Sequence, residues 1–167
     1  MRLFYALELD DGARSNIETW RANALPPIGR AVPAANFHIT LLYLGEVGEW
    51  DLEKLLHETD RIQAPSVSLC LDKYGYFPRP KVYWVGSETV PEPLLSLVKD
   101  LKRCARKVGL KVDKRHYTPH VTLFRKCAAR PPLPAQDICL DLTFTGFTLY
   151  ESVSGNGGVR YEPVARW

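Results

Sequence analysis

Short apolar runs and stretches of helical periodicity alternate along the first half of the chain. Residues 2–9 place apolar side chains on both alternating faces, so the strand they predict is covered on both sides inside a sheet. The stretch that follows begins with Asp10 and Asp11, either of which provides a helix cap. The predicted elements are a strand over 2–9, a helix with Ala13, Ile17, Trp20 and Ala24 on one face, a strand over 37–44, a helix with Leu52, Leu55, Leu56, Thr59 and Ile62 on one face, and a strand over 66–77.

The second half starts the same order again. A strand over 82–85 precedes a helix whose apolar face runs from Leu94 to Val108, with Gly109 as its C-terminal cap. A strand over 120–125 follows, and further strand-like segments cover 138–150 and 159–166. Each half therefore reads strand, helix and then a strand that begins with a histidine. This weak internal duplication predicts two pseudo-symmetric lobes with the two histidine strands face to face.

Composition narrows the class of protein without identifying it. The 167 residues are 46% hydrophobic and 25% charged, which is ordinary for a soluble globular protein of one domain. No apolar run approaches the roughly 18 residues that span a bilayer, and the N-terminus turns acidic too early for a signal peptide. We therefore expect a cytoplasmic monomer that does not enter a membrane. The net charge of +3 permits a polyanionic partner but does not require one.

The four cysteines are scattered and include no Cys-x-x-Cys pair, which argues against a zinc site and against a disulfide framework. We expect buried free thiols instead. The chain offers no other cluster of metal-ligand residues, so no metal and no cofactor is predicted.

Histidine-x-threonine is the most informative pattern in the chain. All four histidines have a threonine two positions later, far more often than nine threonines would give by chance. Residues i and i+2 share a face in a strand, whereas in a helix they point in nearly opposite directions. His57 lies in a helical pattern and is predicted at the surface. His116 is a weaker candidate because Pro119 makes Thr118 part of the approach to a strand rather than its body.

The two remaining copies match beyond the shared histidine and threonine. His38-Ile39-Thr40-Leu41 and His120-Val121-Thr122-Leu123 each have a β-branched residue inside the pair and a leucine after it. Two imidazoles suit the hydrolysis of a cyclic phosphodiester, since one side chain deprotonates water and the other protonates the leaving oxygen near neutral pH. Threonine hydroxyls donate hydrogen bonds to the non-bridging phosphate oxygens. We therefore predict His38 and His120 as catalytic residues and Thr40 and Thr122 as phosphate-binding residues, with no metal needed.

These segments resemble the 2H phosphoesterase superfamily, and most closely its RNA 2′,3′-cyclic phosphodiesterases, the LigT-like 2′-5′ RNA ligase family. The resemblance is carried by Arg2-Leu3-Phe4-Tyr5-Ala6, by Asn36-Phe37-His38-Ile39-Thr40-Leu41-Leu42-Tyr43-Leu44-Gly45 and by Tyr117-Thr118-Pro119-His120-Val121-Thr122-Leu123-Phe124-Arg125. It implies an α+β fold in which residues 1–167 form a single bilobal domain. Each lobe would be an antiparallel sheet with helices outside, and the active site would lie in the central groove.

The resemblance also implies a reaction, the hydrolysis of a 2′,3′-cyclic phosphate on RNA 3′ ends or nucleotides to a 2′-phosphomonoester. His38 would protonate the leaving 3′ oxygen and His120 would activate water, a division that a reverse reaction would exchange. Arg125 would bind phosphate as a permanently charged donor. Tyr5 and Tyr43 are candidates for stacking on the base or ribose, with a place in the core as the alternative for each.

Other functions remain open at the level of sequence. The protein could bind RNA ends without turning them over, although two titrating groups exceed what binding requires. An enzyme with the same site could instead catalyse reversible 2′-5′ ligation, or act on a small nucleotide or ADP-ribose cyclic phosphate.

Overall fold

The protein is described by a computed structural model for residues 1–128 and 131–167, and within these ranges it has ten strands and three helices. In chain order the elements are β1 (Arg2–Glu8), α1 (Asp11–Ala24), β2 (Arg30–Ala31), a 3-10 turn (Ala34–Asn36), β3 (His38–Glu46), α2 (Glu49–Thr59), β4 (Val67–Leu71), β5 (Lys73–Phe77), β6 (Val82–Gly86), α3 (Glu92–Lys107), β7 (His120–Arg125), β8 (Leu140–Phe144), β9 (Thr148–Gly155) and β10 (Gly158–Arg166). None of these helices has the length and apolarity needed to cross a membrane.

The strands form three antiparallel sheets. Their orders are β10-β9-β1-β3, β2-β7-β6-β5 and β4-β8. The predicted α+β class is therefore confirmed, and β1 lies inside its sheet, as its two apolar faces predicted. The duplication is less simple than one lobe per half, because the sheets exchange strands. β9 and β10 from the second half extend the sheet of β1, and β2 from the first half pairs with β7.

The helices begin and end largely where the pattern places them. The side chain of Asp10 caps α1 by accepting a hydrogen bond from the amide of Ala13 at 2.7 Å. The apolar stripe of α3 is buried, and Gly109 follows the helix end with a φ of +89°, a conformation that glycine adopts without strain. The predicted caps are confirmed at both places.

Two segments predicted as continuous strands are each divided between two sheets. The segment 66–77 breaks at Asp72, whose amide donates to the carbonyl of Gly86 at 2.9 Å, so β4 and β5 pair with different partners. The segment 138–150 breaks before Phe147, whose backbone exchanges hydrogen bonds of 3.1 and 3.0 Å with Trp167. Both predictions were wrong in the same way, because strand periodicity continues through a residue at which the chain changes sheets.

The core determines which side chains remain available for a site. One large cluster of buried residues draws on all three sheets, and it takes Leu3, Tyr5 and Leu7 from one face of β1. The opposite face of β1 contributes Phe4 and Ala6 to a second, smaller cluster. The second face borders the groove between β3 and β7, which lie beside each other although they belong to different sheets.

Candidate active site

A cavity of about 160 Å³ lies in this groove. Its lining brings together the two predicted histidines, both predicted threonines and the predicted arginine, and adds three apolar side chains. The residues are His38, Thr40, Phe77, Pro80, Val82, His120, Thr122 and Arg125. Two His-x-Thr segments that lie about eighty positions apart in the chain thus face the same small cavity.

Strands β3 and β7 present these residues with the same burial pattern. Each histidine and threonine is half-buried toward the cavity, while Ile39 and Val121 between them are fully buried in the core. In both strands the leucine after the threonine is left out of the pairing: Leu41 is skipped opposite β1, and Leu123 is skipped opposite β6.

These matched bulges explain how Arg125 reaches the cavity. In a regular strand a residue three positions after Thr122 would lie on the opposite face. One unpaired residue reverses the alternation, so Arg125 returns to the side of Thr122 and lines the cavity. Tyr43 holds the corresponding position in β3.

Backbone carbonyls orient both imidazoles. Nδ1 of His38 is 2.8 Å from the carbonyl oxygen of Asn36, and Nδ1 of His120 is 2.7 Å from that of Thr118. A carbonyl only accepts, so each Nδ1 carries the hydrogen and each neutral Nε2 has a free lone pair. Nε2 of His38 lies 2.9 Å from the Thr40 hydroxyl, which donates to it when the ring is neutral. Among the described residues, Nε2 of His120 has no such partner.

Burial and positive charge lower the pKa of both rings and so favour their neutral forms. For His38, burial together with the smaller effect of the Arg125 charge lowers the pKa to about 4, against the opposing effect of its hydrogen bond to Asn36. Burial also lowers the pKa of His120, with the same help from Arg125. An anion placed in the cavity would offset that charge and raise both pKa values. The site is therefore suited electrostatically to a phosphate.

Aromatic side chains that the sequence did not single out hold each ring. Phe4 and Tyr161 contact the His38 ring with centroids 5.0 Å away, and Phe77 and Trp84 contact the His120 ring at 5.3 and 5.7 Å. The alternation of side chains between the two faces of β1 could have predicted that Phe4 lies on the groove side. The other three depend on strand pairings that are distant in sequence.

The expectation that Tyr5 stacks on a base is wrong. Its side chain is fully buried in the core, with its hydroxyl 2.6 Å from Oγ1 of Thr59, so no ligand can reach it. Tyr43 is 51% exposed, and its hydroxyl accepts a hydrogen bond from Arg2 at 3.3 Å. Stacking by Tyr43 stays a prediction.

The other two histidines lie outside the cavity. His57 is exposed on α2, and His116 is exposed in the loop that leads to β7. Between His116 and β7, the hydroxyl of Tyr117 donates to the carbonyl oxygen of Thr40 at 2.9 Å. This hydrogen bond connects the approach to one histidine strand with the body of the other.

Neither the cysteines nor the carboxylates form a metal site within the part of the chain that the structure describes. All four cysteines are free, although only Cys104 and Cys127 are buried, so the expectation of buried thiols holds for two of them.

The chain has relatives among known proteins. A family model for the 2′-5′ RNA ligase superfamily matches residues 9–154. An RNA 2′,3′-cyclic phosphodiesterase of Escherichia coli is 36% identical over 167 residues, covering 99% of this chain and 95% of that protein. The Thermus thermophilus protein of the same name is 32% identical over 91% of this chain and 82% of its own. The crystal structure of E. coli LigT complexed with 3′-AMP gives a TM-score of 0.89 at 37% identity, over 99% of this chain and 96% of that one.

Proposed function

The chain belongs to the 2′-5′ RNA ligase superfamily, and from that premise we propose that it hydrolyses 2′,3′-cyclic phosphates, on RNA 3′ ends or nucleotides, to 2′-phosphomonoesters. One observation carries the proposal: two imidazoles face the same cavity, each with its Nδ1 hydrogen bonded to a backbone carbonyl. That arrangement leaves two Nε2 atoms for proton transfer on one phosphate.

In the proposed reaction His120 is the base and His38 the acid. Nε2 of His120 takes a proton from water as the water oxygen attacks phosphorus. The bond from phosphorus to O3′ breaks, and protonated His38 supplies the proton that O3′ needs. Nε2 of His120 has no hydrogen-bond partner among the described residues, which supports its role as base. His38 is neutral in the free enzyme, so the anionic substrate must raise its pKa before it serves as acid.

The remaining polar groups of the cavity stabilise charge on the phosphate. Once His38 is protonated, the Thr40 hydroxyl no longer donates to its Nε2, and the hydroxyls of Thr40 and Thr122 donate to the non-bridging oxygens, with which the guanidinium of Arg125 also pairs. A cavity of about 160 Å³ equals the volume of about five waters. The cyclic phosphate and part of its ribose fit inside, and the base stays at the mouth.

The test offers 2′,3′-cyclic AMP and a cyclic-phosphate-ended RNA to the protein in EDTA. We expect a 2′-phosphate product, with His38→Ala and His120→Ala each lowering kcat by about 10²–10⁴. His57→Ala, an exposed histidine outside the cavity, is the matched control and keeps full activity. A 3′-phosphate product or a strict need for a divalent metal would contradict the mechanism. Binding without turnover would favour the RNA-end-binding alternative.

Reversible ligation is a second candidate activity, favoured by the family that the chain matches. In the same site a 5′-hydroxyl of a second RNA would replace water and give a 2′-5′ linkage. To test this, a cyclic-ended RNA is mixed with a 5′-hydroxyl RNA, and the product is digested with a nuclease specific for 3′-5′ linkages. A resistant junction is expected.

A further inference from the structure

Five cationic residues lie at or beside the part of the cavity wall that Pro80 and Arg125 form. This basic rim consists of Arg30, Arg79, Lys81, Arg125 and Lys126. We propose that the basic rim binds the backbone phosphates of a single-stranded RNA on the 5′ side of the cyclic end. The inference rests on the proposed function and deepens it, because it assigns a surface of this chain to the RNA beyond the terminal nucleotide.

Strand pairing makes the basic rim one surface. Arg30 of β2 lies directly opposite Arg125 of β7, and Arg125 lines the cavity together with Pro80. The amide of Cys127 donates to the carbonyl of Lys81 at 3.1 Å, which holds the β5–β6 turn against the chain that leaves β7. The turn and the end of β7 therefore lie side by side, and both carry cations.

The positive charge of the basic rim is not neutralised by the protein. All five side chains belong to exposed residues, and in residues 1–128 and 131–167 none of them makes an ion pair. The segments 28–34, 77–82 and 124–128 contain no aspartate or glutamate. By contrast, Lys73 and Lys107 each pair with a glutamate. Uncompensated like charges repel one another, and a polyanion removes that repulsion.

Other cations near His38 are compensated. Glu8 lies in register with His38 and forms an ion pair with Arg166 at 3.4 Å, and Arg14 pairs with Asp11 at 3.6 Å. A 2′,3′-cyclic phosphate can exist only at a 3′ terminus, so all other phosphates of its RNA leave the cavity in one direction. The unpaired cations of the basic rim attract those phosphates more strongly than the paired Arg14 and Arg166 do, so the charges favour a path over the rim.

The test compares a cyclic-phosphate-ended octaribonucleotide with 2′,3′-cyclic AMP as substrates. The rim variant carries Arg79→Gln and Lys126→Gln, which remove two charges outside the catalytic cavity. The control variant carries Lys99→Gln and Arg106→Gln, two exposed cations of α3 without an ion pair in the described part of the chain. Both variants have the same net charge, so a general charge effect is the same in each.

We expect the rim variant to raise KM for the octaribonucleotide by roughly 5–20-fold and to leave mononucleotide hydrolysis unchanged. The slope of log kcat/KM against log salt for the octaribonucleotide should flatten by about 1.4, the value for two phosphate contacts on a single strand. An equal KM for the rim and control variants, or an equal loss of kcat/KM on both substrates, would contradict the proposal that the basic rim binds RNA. If neither substrate is hydrolysed, the proposed function fails. Fluorescence anisotropy with a labelled single-stranded RNA then tests the basic rim without catalysis. Weaker binding by the rim variant than by the control variant supports RNA binding at the rim, and equal binding contradicts it.

Discussion

The low pKa of His38 makes the stability of the folded protein depend on pH. In the unfolded chain His38 titrates near 6.5, and in the folded chain its pKa is about 4. The unfolded state therefore binds a proton first as the pH falls, so the stabilisation is complete above pH 6.5 and is lost progressively toward pH 4. Linkage over this interval gives a loss of about 0.8 kcal/mol at pH 6 and about 2 kcal/mol at pH 5.

Urea unfolding of the wild type and of His38→Gln at pH 8, 6 and 5 measures this contribution. Glutamine keeps a hydrogen-bond donor near the carbonyl of Asn36 but does not titrate. The wild type should lose about 2 kcal/mol more than the variant between pH 8 and pH 5. His57→Gln, with an exposed ring, should follow the wild type. If the wild type and His38→Gln lose stability in parallel, burial and Arg125 do not control the ring as argued.

Two further predictions concern positions around the site. Tyr117→Phe and Tyr5→Phe each remove a hydrogen bond made by a tyrosine hydroxyl and should each destabilise the fold by about 1–3 kcal/mol. At temperatures well below those at which either variant unfolds, only Tyr117→Phe should lower kcat for the proposed hydrolysis, because it alone removes a hydrogen bond from Thr40 in β3. An equal kcat in both variants would refute this. Gly75→Ala should lower the free energy of unfolding by at least about 1–3 kcal/mol, since a Cβ there would overlap the indole of Trp84, and urea unfolding of the variant measures the loss.

The sequence alone identified five of the residues that line the cavity. The spacing in His38-x-Thr40 and His120-x-Thr122 fixes which residues share a face once the segments are strands, because that alternation is a local property of the backbone. Other local patterns worked in the same way. Apolar residues on both faces predicted β1 as an interior strand, and helical periodicity placed His57 on a helix, outside the site. Helix ends followed from side chains beside them, such as Asp10.

Tertiary structure decided what depends on partners distant in sequence. Local alternation does not reveal the skipped leucines, which appear only when β3 and β7 pair with their neighbours and which return Arg125 to the cavity. Burial of Tyr5 follows from what covers that face of β1, and the exchange of strands between halves follows from sheet order. The basic rim likewise exists only because β2, the β5–β6 turn and the end of β7 meet in space. Residue spacing is local, whereas the faces that become covered, and the charges that become neighbours, are set by contacts across the whole chain.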